Sequence, residues 1–148
     1  MYKVIGKTNT RAMRVLWAMH EIGLEFDHIK AAAQSVEAQK ANISGKVPSL
    51  ILNDITITDS TAIITYLADK YAQLTYPAGT IERAQQDSFT QFILDELDSI
   101  LWASARHSFV LPKELRVSGL KETLRWEFTK SSKILESRMD NGPNLMGE

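Results

Sequence analysis

The spacing of apolar residues changes period along this chain, and each change predicts an element. Tyr2-Lys3-Val4-Ile5 reads as a short strand closed by Gly6. The polar run Lys7-Thr8-Asn9-Thr10 follows, rich in residues that cap helices. Ala12, Val15, Leu16, Met19 and Ile22 then recur at helical spacing, one face of an amphipathic helix that Gly23 stops. Over 24–29 apolar and polar residues alternate, as in a half-buried strand. The stretch 31–44 is weakly patterned and allows a short helix over 36–41, broken by Gly45. Strands over 47–52 and 55–58, joined by the turn pair Asn53-Asp54, predict an antiparallel hairpin. Asp59-Ser60 opens a helix with Ile63, Ile64, Leu67, Ala68 and Tyr71 on its inner face.

The polar stretch 73–80, with Pro77 and Gly79, predicts a linker. Beyond it the period is helical throughout. Phe89, Ile93, Leu97, Ile100 and Leu101 line one face of a long helix over 81–108. Leu111-Pro112 separates it from a second helix carrying Val117, Leu120, Leu124, Phe128 and Leu135, which Asn141-Gly142-Pro143 ends. The order β-α-β-α-β-β-α, then a linker, then helices predicts an α+β chain in two parts: a mixed domain over 1–73 and an all-helical one over 81–148.

A chain of 148 residues is one ordinary domain, or two small ones sharing a core, and buries an interior without staples. Lys and Arg total 17 against 18 Asp and Glu, so the net charge of −1 supplies no basic face for nucleic acid or an anionic membrane. No apolar run approaches the roughly 20 residues of a membrane span. Cys is absent, which excludes a disulfide scaffold, a thiolate-ligated metal and a cysteine nucleophile, and suits the cytoplasm. His20, His28 and His107 lack metal-ligand spacing, so no metal is expected. Asp95, Glu96 and Asp98 read as a solvated face or a dimer contact.

Three features of the first half carry candidate chemistry. Pro48 cannot donate to a ladder and belongs at a strand start or edge. With a cis bond before it, Val47 turns its N–H and C=O outward to an extended peptide-like ligand; the alternative is a plain trans proline. Asp59-Ser60 gives a helix N-terminus that attracts an anion, a serine hydroxyl, and a carboxylate able to accept from an amine; the alternative is an ordinary cap. The 7–11 loop offers hydroxyl and amide donors beside a helix N-terminus, suited to a thiolate or simply to capping.

Taken together, these residues resemble the thioredoxin-like domain of cytosolic glutathione S-transferases. The resemblance rests on residues 14–26 (Arg14-Val15-Leu16-Trp17-Ala18 onward), on Gly45-Lys46-Val47-Pro48-Ser49-Leu50, and on 58–71 (Thr58-Asp59-Ser60-Thr61-Ala62-Ile63 onward). The later helices are similar to the first two of that family's all-α domain, here incomplete. The resemblance implies glutathione as cosubstrate, with no metal. Val47 before a cis-Pro48 would pair with the cysteinyl unit, Asp59 and Ser60 would hold the γ-glutamyl end, and Lys46 would lie near the glycyl end. Family members usually present Tyr, Ser or Cys to the sulfur. Here Asn9 stands at the usual Ser position with Thr10 next, and an Asn amide donates a hydrogen bond without acting as a base. The implied activity is attack of the glutathione thiolate on a small electrophile, or on a disulfide or peroxide. The alternative is a non-catalytic glutathione-binding or protein-interaction module. Trp102 and Arg106 are candidates for the acceptor pocket, or else a core residue and a surface charge. The resemblance also implies a homodimer. The stripes Phe89/Ile93/Leu97/Leu101 and Leu120/Leu124/Phe128 call for cover from a second copy or from further chain.

Overall fold

The computed structural model describes residues 1–139 and 145–146, in two compact units, Met1–Ala78 and Gly79–Glu148. In the first, β1 (Tyr2–Ile5), α1 (Ala12–Ile22), β2 (Phe26–Ile29), α2 (Val36–Ala41), β3 (Ser49–Leu52), β4 (Ile55–Thr58) and α3 (Ser60–Tyr71) follow in chain order. The sheet order is β2-β1-β3-β4, with β2 parallel to β1 and the other pairs antiparallel. This is a thioredoxin-like arrangement. Val4 and Leu50 of the sheet pack with Val15, Leu16 and Met19 of α1 and Ile63 and Leu67 of α3. Successive strand residues face opposite sides, so Ile5 and Ser49 point the other way, toward α2, where Ala38 is fully buried.

Local chemistry moves two strand starts from their expected places. The N–H groups of Gly23 and Leu24 bond back to His20 and Met19, and Gly23 takes φ 78°. Leu24 is thus spent on closing the helix, and β2 begins at Phe26. The Val47–Pro48 peptide is cis. Ladder pairing starts only after it, so β3 begins at Ser49 rather than at Val47.

The second unit holds α4 (Ile81–Ile93), α5 (Ser99–Ala105) and α6 (Leu120–Arg138). The long helix expected over 81–108 is interrupted by two π-helical stretches, Leu94–Asp98 and Arg106–Val110. A π turn takes an extra residue and advances the side-chain phase. The stripe through Ile93 and Leu97 therefore passes to half-buried Trp102, while Leu101 is left 52% exposed. Val117 is exposed and precedes α6, its N–H bonded to His107 Nδ1 instead of joining a helix. The helix end expected at Asn141-Gly142-Pro143 lies outside the described residues. Among the described residues no helix is long and apolar enough to cross a membrane.

Candidate functional site

Gly6 is where the first unit's loops meet. It sits at the end of β1 with φ 145°, and a Cβ there would lie 2.6 Å from the Ala12 Cβ and 3.1 Å from the Val47 Cβ. Only glycine lets the end of β1, the start of α1 and the Val47 loop approach so closely. Register brings in the remaining element. Ser49 stands opposite Ile5 on one side and Thr58 on the other, so Pro48 and Asp59 emerge at the same end of the sheet.

Val47 precedes the ladder, and neither its N–H nor its C=O has a backbone partner among the described residues. The loop before it is held by its own side chains. Asn42 Oδ1 accepts from Ser44 N and Ser44 Oγ, and Asn42 Nδ2 donates to Lys46 O. Gln34 packs against Gly45 and donates to Ser44 O at 2.9 Å. Lys46 is exposed at the end of this turn. The sequence reading missed Gln34, Asn42 and Ser44, whose pairing across the loop leaves no periodic signal.

Asp59 caps α3: its Oδ1 accepts from Thr61 N at 2.8 Å and Ala62 N at 3.2 Å. It does so at φ 73°, an uncommon conformation for a residue with a side chain. Its other carboxylate oxygen takes no part in the cap and remains open to an ammonium group. Ser60 is 2% exposed, and its hydroxyl makes no hydrogen bond among the described residues.

The two loop candidates differ in what they have left to give. Thr10 Oγ1 donates to Lys7 O at 2.7 Å and accepts from Ala12 N at 3.2 Å, so its hydrogen is committed to the turn that starts α1. The N–H groups of Met13 and Arg14 are likewise bonded, to Thr10 and Arg11. Asn9 is exposed and its amide has no partner among the described residues. In the second unit Trp102 is half-buried and Arg106 is exposed at the start of a π stretch.

The strongest electrostatic perturbation lies at the other end of β1. Burial pushes the Tyr2 phenol up to about 12. Lys70 is held protonated above its ordinary range by hydrogen bonds to the hydroxyls of Tyr2, at 2.9 Å, and Tyr66, at 3.2 Å. Among the described residues no cluster of three or more His, Asp or Glu could hold a metal.

Comparison with known proteins agrees with this geometry. The family profile for the glutathione S-transferase N-terminal domain matches residues 10–75. Glutathione S-transferase 1 of Dianthus caryophyllus is 40% identical over 67 residues, 42% of this chain and 30% of that protein. A glutathione transferase of Phanerochaete chrysosporium, solved with oxidised glutathione, superposes with TM-score 0.83 at 25% identity, over 99% of this chain and 71% of that one. Glutathione transferase F7 of Populus trichocarpa has the same fold, with TM-score 0.80 at 20% identity, over 99% of this chain and 75% of that one. The profile matches residues 10–75, and the chain shares the fold of glutathione transferases.

Proposed function

We propose that the Met1–Ala78 unit binds glutathione and lowers the energy of its thiolate for attack on an electrophile. One observation carries this reading: unpaired Val47 backbone groups and the Asp59-Ser60 pair share one end of the sheet. Glutathione is an extended tripeptide with a free amine and two carboxylates. Its cysteinyl backbone suits Val47, its γ-glutamyl amine suits the open Asp59 oxygen, and its γ-glutamyl carboxylate suits the Ser60 hydroxyl. Lys46 offers a cation to the glycyl carboxylate. The fungal relative solved with oxidised glutathione supports the ligand class.

Asn9, with its unengaged amide, is the donor proposed for the thiolate, and Thr10 shapes the loop that presents it. The thiolate sulfur then forms a bond to an electrophilic carbon as the leaving group departs with its electron pair. With a disulfide it bonds one sulfur and expels the other as a thiolate. Since Asn9 cannot take a proton from the thiol, catalysis here depends on charge stabilisation and not on general base action. The committed Thr10 hydroxyl favours one further reading, glutathione binding with little conjugation.

Two variants separate binding from chemistry. Replacing Ser60 by Ala is expected to weaken glutathione binding in titration calorimetry by roughly tenfold or more, the effect of losing a hydrogen bond to a charged group. Asn9→Ala is expected to keep the affinity while turnover of a chlorinated nitroaromatic and of a mixed disulfide drops. An unchanged dissociation constant for Ser60→Ala places the ligand elsewhere. Undetectable turnover in the parent protein, with binding intact, selects the binding module.

A further inference from the structure

We infer that His28, a residue outside the glutathione contacts, is a positioning residue that sets the 7–11 loop through the carbonyl of Gly6. The argument starts from the parallel β1–β2 ladder, which pairs Val4 with His28 and Ile5 with Ile29. The next bond of that ladder is made: Gly6 N–H donates to Ile29 O at 2.9 Å. By the evenly spaced parallel pattern, Gly6 O should then accept from Ala31 N–H. Ala31 N–H turns back instead and donates to Ile29 O at 2.8 Å, which ends β2. The Gly6 carbonyl is left without its ladder partner in a buried residue, a costly state for a backbone group.

The His28 ring fills that place, with Nε2 2.7 Å from Gly6 O. A carbonyl only accepts, so Nε2 carries the hydrogen whether the ring is neutral or charged. The bond acts as a tether between β2 and the end of β1. Gly6 is the pivot between β1 and the loop bearing Asn9, and it is already pressed against Ala12 and Val47. Holding its N–H and its C=O from the same neighbouring strand fixes the direction in which the loop leaves the sheet. Asp59 and Ser60 hang on β4 and α3 and do not depend on this tether.

As far as it concerns the thiolate, the inference rests on the glutathione reading; as far as it concerns the loop, it stands alone. The test compares His28→Gln with His28→Met, unbranched side chains of similar shape that differ in an N–H donor. In the Met variant, exchange of the Thr10 and Met13 amides with solvent is expected to rise about tenfold, while the Thr61 and Ala62 amides on α3 keep their rates. The Gln variant is expected to restore protection. With glutathione bound, the Met variant is expected to lower kcat several-fold at nearly constant dissociation constant, and to reduce the thiolate absorbance of the complex; Gln recovers both. Equal loop protection in the two variants overturns the inference, and so does faster exchange spread evenly over loop and α3. Should His28→Met fail to fold, His28→Phe replaces it under the same criteria. If the parent protein does not bind glutathione, the glutathione reading fails and the amide exchange alone decides the role of His28.

Discussion

The two units of this chain differ both in how many apolar residues they carry and in how they bury them, the first being the richer. Of fifteen buried apolar side chains among the described residues, fourteen lie in Met1–Ala78 and one, Leu124, in Gly79–Glu148. A four-stranded sheet between α1 and α3 on one face and α2 on the other closes its interior in layers. In the second unit α5 and α6 leave a groove lined by Ile100, Leu101, Leu124 and Phe128. What orders the second unit is largely polar. The Arg116 guanidinium donates to the carbonyls of Leu111, Ser108 and Phe109, tying off the second π stretch. Ser131, 2% exposed, donates to Glu96. The Arg138 guanidinium lies 4.4 Å from the Phe89 ring centre and 5.0 Å from that of Phe92. A closed apolar core and a surface net of directional bonds are two ways to hold helices, and they predict different sensitivities.

The largest expected effect is a core truncation. Leu50→Ala, at a fully buried position in the first unit, should cost about 2–5 kcal/mol. Leu124→Ala, on the wall of a groove, should cost nearer 1–2 kcal/mol, since solvent already reaches its surroundings. Urea unfolding, read separately in each unit by hydrogen exchange of its peptides, checks both. Similar costs would mean that the second unit has a closed core after all.

Alkali provides a second, smaller discriminator. The folded-state pKa of Tyr2 is raised from 10.0 to about 12 by burial. A raised folded value means that the stability is fully present below pH 10 and is lost as the pH climbs toward 12. Lys70 is raised as well, so its contribution fades in the same direction. The first unit should therefore loosen between these pH values, by an amount on the order of 1–2 kcal/mol at Tyr2. Tyr2→Phe should flatten that pH dependence. A Tyr2→Phe protein with the parent's alkaline profile would remove this cluster from the account.

The smallest effect is expected at Ser49. Its hydroxyl is fully buried without a hydrogen-bond partner among the described residues, on the sheet face toward α2. Ser49→Ala removes a desolvated polar atom and should be neutral or stabilising by about 1 kcal/mol or less. A clear loss of stability would show that the hydroxyl has a partner in solution and that this layer is not purely apolar.

Much of this protein was legible from local pattern. Strand β1, helix α1 with its Gly23 stop, the β3–β4 hairpin and the helix after Asp59 all follow from period and cap chemistry, which act over a few residues. The segments Lys46-Val47-Pro48 and Asp59-Ser60 could be singled out because proline and capping residues carry backbone constraints in their own chemistry. Other features were settled only by residues far apart in sequence. Pairing of β3 between β1 and β4 leaves Val47 unpaired at the end of the sheet. Thr10 and Asn9 look equally suited to a thiolate until the fold spends Thr10 on a turn and gives the Asn9 amide no partner among the described residues. The first π stretch shifts Leu101 out of its expected stripe, because an added residue in the turn changes the phase without altering the sequence pattern before it. His28 looks like any polar residue of an alternating strand until β2 ends one bond early and its ring meets the carbonyl of Gly6, 22 positions away. Periodicity reports which face a side chain takes. Which backbone group on that face lacks a partner depends on strand register and on where each strand stops, and these are fixed by contacts between distant segments.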